Sequence, residues 1–150
     1  MAIVYFVQHG IASTQEIDEN RPLSEMGAAE VYKVADYLKQ HQVIINKIYH
    51  SGKLRAQQTA VIFSQQLGNV DVAPLNGMNP NDPPVMLIEQ LNEDGAMYVG
   101  HLPQLQRVAA DLTGCTAHNS AIAFKNAGVL CMEINNGCGT IKWFITPQIC

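Results

Sequence analysis

Apolar positions along the chain follow two alternating rhythms. Short, nearly continuous apolar runs at residues 3–7, 43–49, 70–75, 96–99, 129–134 and 140–145 read as strands. Between the early runs lie helical patterns. Residues 24–42, SEMGAAEVYKVADYLKQHQ, set Val31, Val34, Ala35 and Leu38 in one stripe, with Ser24 as an N-cap whose hydroxyl accepts from an otherwise unpaired amide. Residues 52–68, GKLRAQQTAVIFSQQLG, line Ala56, Ala60, Phe63 and Leu67 along one face, and Gly68 suits a left-handed helix end. Shorter helices are expected at PPVMLIEQL and at PQLQRVAADL. Each opens on a proline, Pro103 in the second, where the missing N–H does no harm.

This alternation predicts an α/β three-layer sandwich with a mostly parallel central sheet and helices on both faces, as one domain over residues 1–150. The C-terminal part breaks the pattern. GVLCMEI and TIKWFIT are joined by NNGCG, which reads as a hairpin and gives the sheet an antiparallel portion at one side. NGMNPNDPP, polar and proline-rich, is expected to be a surface loop above the sheet. Tyr5, Phe6, Phe63 and Trp143 fit core or sheet positions.

Composition narrows the function more than the fold. The 150 residues are 47% hydrophobic and 15% charged, which is globular, and the net charge of −4 leaves no basic face for nucleic acid or an anionic membrane. No run approaches the ~20 apolar residues of a membrane span. A cytoplasmic location and a monomer are expected. Cys115, Cys131, Cys138 and Cys150 form no C-x-x-C pair, so free thiols are expected and no metal. No cofactor is expected either.

In α/β sheets ligands bind beyond the carboxyl ends of the strands. Gln8, His9 and Gly10 follow the first strand; Ser51, Gly52 and Lys53 follow the second, with Arg55 in the next helix's first turn; His101 follows the fourth, just before a helix. A cation at a helix N-terminus is electrostatically misplaced unless an anion sits beside it. Two histidines and an arginine on one rim, with helix N-termini aimed at it, suit a phosphoryl group. The remaining histidines have ordinary explanations: His41 near a helix end, His50 beside the pocket, His118 in a loop.

Several segments together carry a family pattern. VYFVQHGIA resembles a strand ending in Arg-His-Gly. RPLSEMG resembles an Arg-Pro-Leu-Ser/Thr-x-x-Gly segment, HSGKLRAQQTA a Ser-Pro-x-x-Arg-Ala-x-Gln-Thr helix start, and YVGHLPQL a segment carrying a second histidine, while FKNAGVLCMEI and IKWFITP resemble closing strands. On these motifs the chain resembles the histidine phosphatase superfamily, phosphoglycerate-mutase-like in fold, and within it the SixA-type phosphohistidine phosphatases. The resemblance implies that His9 is a transiently phosphorylated nucleophile, that Arg55 and a protonated His101 are phosphate ligands, and that Arg21 reaches the rim. One imidazole nitrogen must keep its lone pair for attack, and a backbone carbonyl in the turn is expected to hold the other's N–H. Gly10 is expected to allow a tight turn and a close approach of backbone to ligand.

Two residues depart from the pattern. Gly52 replaces a proline, expected only to loosen a turn. Gln8 replaces an arginine, keeping an amide donor among the phosphate-binding groups but losing a charge, part of which Lys53 is placed to replace. Asp82 is the candidate acid by resemblance, whereas Glu25, Glu93 and Asp94 read as solvated. A weak acid favours a phosphohistidine substrate, whose imidazole leaves with a conjugate-acid pKa of about 6.5, over an ester, whose alkoxide needs a proton. The partner expected is a phosphohistidine-bearing protein. The alternatives are a small phosphorylated compound as substrate, or an inactive relative that binds a phosphorylated partner or anion.

Overall fold

The computed structural model describes residues 1–114 and 122–150; Cys115 and His118 lie outside the described residues. Six strands form one sheet: β1 (Ala2–Gln8), β2 (Lys47–His50), β3 (Val72–Pro74), β4 (Ala96–Gly100), β5 (Val129–Asn135) and β6 (Cys138–Ile145). Their spatial order is β3-β2-β4-β1-β5-β6. The ladders β3/β2, β2/β4 and β4/β1 are parallel, and β1/β5 and β5/β6 are antiparallel. The mostly parallel sheet with an antiparallel C-terminal portion is therefore as the pattern predicts. β1 lies at the seam between the two regimes.

Period-2 alternation sorts each strand's side chains to the two faces. Tyr5, Val7, Met97, Val99, Val129 and Cys131 join one buried cluster, and Val4, Phe6, Ala96, Tyr98, Leu130 and Met132 join the other. The first face is covered by α1 (Glu25–Gln40) and α2 (Leu54–Gln66), through Val31, Val34, Ala35, Leu38, Ala56, Ala60 and Phe63. The second is covered by α3 (Pro84–Ile88) and α4 (Gln104–Thr113), through Leu87, Leu105, Val108 and Leu112. Trp143 packs on Tyr5 with ring centroids 5.8 Å apart.

Local signals placed most element ends. Ser24 Oγ accepts from Gly27 N at 3.0 Å. Gly68 takes a left-handed φ of 95° just beyond α2. Asn136 and Gly137, with φ of 50° and 77°, make the two-residue turn between β5 and β6 that the right-handed twist of paired strands prefers. Pro103 stands at the N-cap of α4 rather than inside it.

The run at 43–49 is only half a strand. β2 begins at Lys47, where both neighbours become available. Val43 N instead bonds back to Leu38 O at 3.0 Å, and Val43 and Ile45 pack against the α1 side of the core without a strand beside them.

Candidate active site

The register brings the carboxyl ends of three strands level. Gln8 pairs with Gly100 and His50 with Val99, so His9 and His101 leave the sheet side by side, and Ser51 leaves it one step earlier, level with Gln8. His9 N donates to Gly100 O at 3.1 Å, extending the β1/β4 ladder by one bond. The His9 and His101 rings lie 5.0 Å apart between centroids. Arg55 Nε donates to His9 Nε2 at 3.4 Å.

His9 is held in one orientation. Its Nδ1 lies 2.7 Å from Gly10 O, as the turn was expected to provide. A carbonyl only accepts, so Nδ1 carries the ring proton and Nε2 the lone pair, which faces Arg55. Two other side chains fix the turn. Asn126 Nδ2 donates to His9 O at 2.9 Å, and Thr59 Oγ1 accepts from Gly10 N at 3.0 Å while donating to Arg55 O at 2.8 Å. Thr59 thereby ties the turn to the helix that carries the arginine. These are residues that sequence reading gave no role: Asn126 lies 117 positions from its partner. Thr59 did carry local signals: it is the threonine of the Ser-Pro-x-x-Arg-Ala-x-Gln-Thr resemblance, and it follows Arg55 by four, one turn along the same helix face.

Gly10 is a glycine for a reason other than the one expected. Its φ is not in the left-handed region; an added Cβ would meet Val31 Cγ2 at 2.8 Å, with Gly27 O and Leu23 Cδ2 each at 3.1 Å. The constraint is close packing of the turn on α1. Gly10→Ala is accordingly expected to cost about 1–3 kcal/mol of stability by overpacking, read as a lower urea midpoint. A midpoint equal to the parent's overturns this account. Gly52 also does more than loosen a turn. Its φ of 94° is closed to proline, and its N–H donates to His50 Nδ1 at 3.0 Å.

Arg21 is bound into the same neighbourhood. Ser13 N donates to Pro22 O at 2.8 Å, Ser24 N to Ile11 O at 2.9 Å, and Leu23 N to Gln58 Oε1 at 2.7 Å. Arg21 itself has a φ of 49°, and its Nε donates to Ser13 O at 3.3 Å. Gln8 Oε1 is buried and has no hydrogen-bond partner among the described residues. His101, only 1% exposed, has Nε2 at 2.6 Å from Ser51 Oγ, and its buried Nδ1 has no partner among the described residues.

The electrostatics correct one expectation. Burial pushes His9 down to about 4; the Gly10 carbonyl opposes this, and Arg55 and then Arg21 add to it. Burial pushes His101 down to about 3, with His9, Arg55, Lys53 and Arg21 all acting in the same direction. With these neighbours His101 is neutral at pH 7, not the imidazolium expected. The side chains whose charges bear on the two rings are all basic ones. Asp82 is not among them: its Oδ2 accepts from Asn79 N at 2.9 Å within its own loop. Glu93 and Asp94 are not merely solvated, since Glu93 Oε2 accepts from Tyr49 Oη at 2.7 Å and Asp94 Oδ1 from Ile3 N at 2.8 Å.

These shifts set the sign of a pH dependence. The unfolded histidines return to about 6.5, above their folded values, so the unfolded chain binds more protons and stability rises with pH across the interval. On acidification from pH 6.5 to 5, above most carboxylate titration, the unfolding free energy is expected to fall by up to about 1.4 kcal/mol per pH unit for each histidine. Urea titrations across that window check it, and a flat profile overturns it.

Among the described residues no group of three or more His, Cys, Asp or Glu is arranged to hold a metal ion, and no helix is long and apolar enough to cross a membrane. Residues 4–79 match the sequence profile of the histidine phosphatase superfamily (branch 1). No curated protein matches the sequence. Among solved structures, the chain is similar to the protein histidine phosphatase SixA complexed with tungstate, with 22% identity, a TM-score of 0.87 and 98% of each chain covered. It is similar to a candidate phosphohistidine phosphatase SixA from Agrobacterium tumefaciens, with 22% identity, a TM-score of 0.81, and 97% of this chain and 98% of that one covered. It is also similar to a phosphoserine phosphatase from Entamoeba histolytica in complex with 3-phosphoglyceric acid, with 15% identity, a TM-score of 0.72 and 96% of each chain covered.

Proposed function

Because the chain belongs to the histidine phosphatase superfamily, we propose that it is a phosphohistidine phosphatase whose nucleophile is His9. One observation carries this reading: His9 Nδ1 is tied to Gly10 O, so Nε2 presents its lone pair among Arg55, His101 and the rim cations. The tungstate held by the similar SixA is a tetrahedral oxyanion, the shape of a phosphoryl group.

In this reading Nε2 attacks phosphorus in line. The N–P bond to His9 forms as the N–P bond to the substrate imidazole breaks. The departing nitrogen keeps the electron pair and takes a proton from solvent. Water then attacks the phosphorus, the bond to His9 breaks, Nε2 recovers its lone pair, and the water proton leaves with phosphate. Arg55 turns from Nε2 to the phosphoryl oxygens, where its fork donates two parallel bonds. Gln8 and Arg21 add donors, and His101 completes the cluster. The depressed value of His9 supports the first step, because the ring is neutral at pH 7.

Substrate choice follows from the acid. Asp82 is engaged in its own loop, and an imidazole leaves with little help, whereas an alkoxide does not. The test compares phosphate release from a phosphohistidine-bearing protein with release from small phosphate esters. Faster release from the protein is expected; much faster ester hydrolysis overturns the reading. The free thiols of Cys131, Cys138 and Cys150 accord with a reducing, cytoplasmic compartment.

Gln8 supports a second reading, a binding module without turnover, because its buried amide oxygen brings no charge to the pocket. Mixing the protein with a small phosphoramidate separates the two. A phosphoryl adduct on His9 supports the enzyme, and its absence the module.

A further inference from the structure

We propose that the groove between α1 and α2, with the acidic loop at its mouth, docks the protein that carries the phosphoryl group, and selects a phosphohistidine flanked by apolar and basic residues. This rests on the reading of the neighbouring cluster as a phosphohistidine site.

The groove begins where the site ends. Leu54 stands between Lys53 and Arg55 at the start of α2, and Leu23 follows Arg21 by two. Both line a depression of about 460 Å³ that also takes in Tyr32 of α1 and Val61 of α2. Gln58, on the same wall, accepts from Leu23 N at 2.7 Å and ties the two sides together. Leu23 in turn abuts the turn after His9, since a Cβ on Gly10 would meet Leu23 Cδ2 at 3.1 Å. Groove and site thus share a wall.

Apolar surface is left open here. Leu54 and Val61 are each 37% exposed and Tyr32 42%. Among the described residues no charged side chain lines the groove; glutamines alternate with the apolar ones. A partner's apolar side chains can therefore cover it without burying a charge, which is the costly step in docking.

Charge distinguishes the partner. At one end stand Arg21, Lys53 and Arg55, which suit the phosphoryl group. Beside them the chain makes a loop closed by the bond from Ser13 N to Pro22 O at 2.8 Å, and its far strand runs on into Leu23. Residues 14–20, TQEIDEN, hold three acids and no base. Asp18 turns back to accept from Asn20 N at 3.0 Å, while Glu16, Glu19 and the apolar Ile17 between them face solvent. An incoming surface meets cations, then carboxylates, then an uncharged apolar trough. Its complement is a phosphoryl group, a basic residue beside it and apolar side chains beyond. A small phosphate compound fills only the first of these places. A histidine within a chain brings neighbours spaced ~3.3–3.6 Å per residue, which must lie over the border of the site.

Equilibrium binding of three peptides of one length tests this. Each carries a non-hydrolysable phosphonate analogue of phosphohistidine, flanked by leucine and lysine, by leucine and glutamate, or by serine alone. The leucine–lysine peptide is expected to bind about tenfold more tightly than the serine peptide, and several-fold more tightly than the leucine–glutamate one. Tyr32→Gln with Val61→Gln should remove the advantage of leucine, and Glu16→Lys with Glu19→Lys should move the preference from lysine to glutamate. Both pairs change exposed side chains outside the phosphoryl cluster, so hydrolysis of phosphoramidate, too small to reach the groove, is expected to be unchanged. Equal affinity for the three peptides in the parent chain overturns the proposal without any variant, and so does a preference that survives the substitutions. If the peptides bind in the expected order but their phosphohistidine counterparts are not hydrolysed, the phosphatase reading fails and the docking surface stands. If those counterparts are hydrolysed equally well whatever their flanks, the docking surface fails and the phosphatase reading stands.

Discussion

In His9→Ala, phosphate release from a phosphohistidine-bearing protein is expected to fall by about 10⁴-fold or more, while tungstate still binds. The two outcomes separate because the imidazole does two different things. As the proposed nucleophile it supplies the lone pair that opens the covalent route, and among its contacts Arg55 has no lone pair to offer, while the His101 Nε2 is engaged with Ser51. As a phosphate neighbour, neutral His9 contributes little charge. Its loss leaves Arg55 and Arg21 in place to hold an oxyanion. The phosphoryl adduct should disappear as well. Turnover retained in His9→Ala overturns the assignment of the nucleophile, and binding lost together with turnover shows collapse of the turn instead.

Gln8→Arg is expected to raise kcat/KM by about ten- to a hundredfold. A charged hydrogen bond contributes ~1.5–3 kcal/mol, and each 1.4 kcal/mol of transition-state stabilisation is about tenfold in rate. Gln8 stands beside His9 at the end of β1, with its amide oxygen buried and unpaired among the described residues. A guanidinium there removes the orphan acceptor and adds a donor that charge makes stronger. The gain carries a cost. Arg21 already lowers Arg55, which burial holds below its ordinary value. A third guanidinium without an anion between them repels both, so the variant is expected to melt lower than the parent and to regain the difference in excess phosphate. Thermal melts with and without phosphate test this beside the kinetics. A Gln8→Arg variant that binds and turns over no better shows that the pocket is matched to glutamine.

What the sequence made legible was local. The α1 stripe, the Ser24 cap and the Asn136-Gly137 turn each depend on residues within a few positions, and all three stand as read. The rim residues were also findable, because strand ends in an α/β sheet are the place to look. Distant contacts were not. Nothing near Asn126 says that it holds the carbonyl of His9, and nothing near Gly10 says that Val31 and Gly27 crowd it. The protonation of His101 failed for a related reason. Its residue type suggests a titration near neutrality, but burial and neighbours from other elements decide it. The overlong second strand is the converse case: residues 43–46 are apolar enough for a strand but have no neighbour to pair with, and pairing is a property of the whole sheet.

The seam at β1 also bears on when the protein becomes competent. A ribosome makes His9 before either partner of its strand: β4 pairs with it from residue 96 onward, and β5 only through residues 129–134. Asn126, which holds the carbonyl of His9, is also made late. Pairings this distant close slowly, and until they form the apolar β1 has two unpaired edges. His9 is thus made well before the residues that set it in place, so a growing chain cannot complete this turn before Asn126 and β5 have emerged.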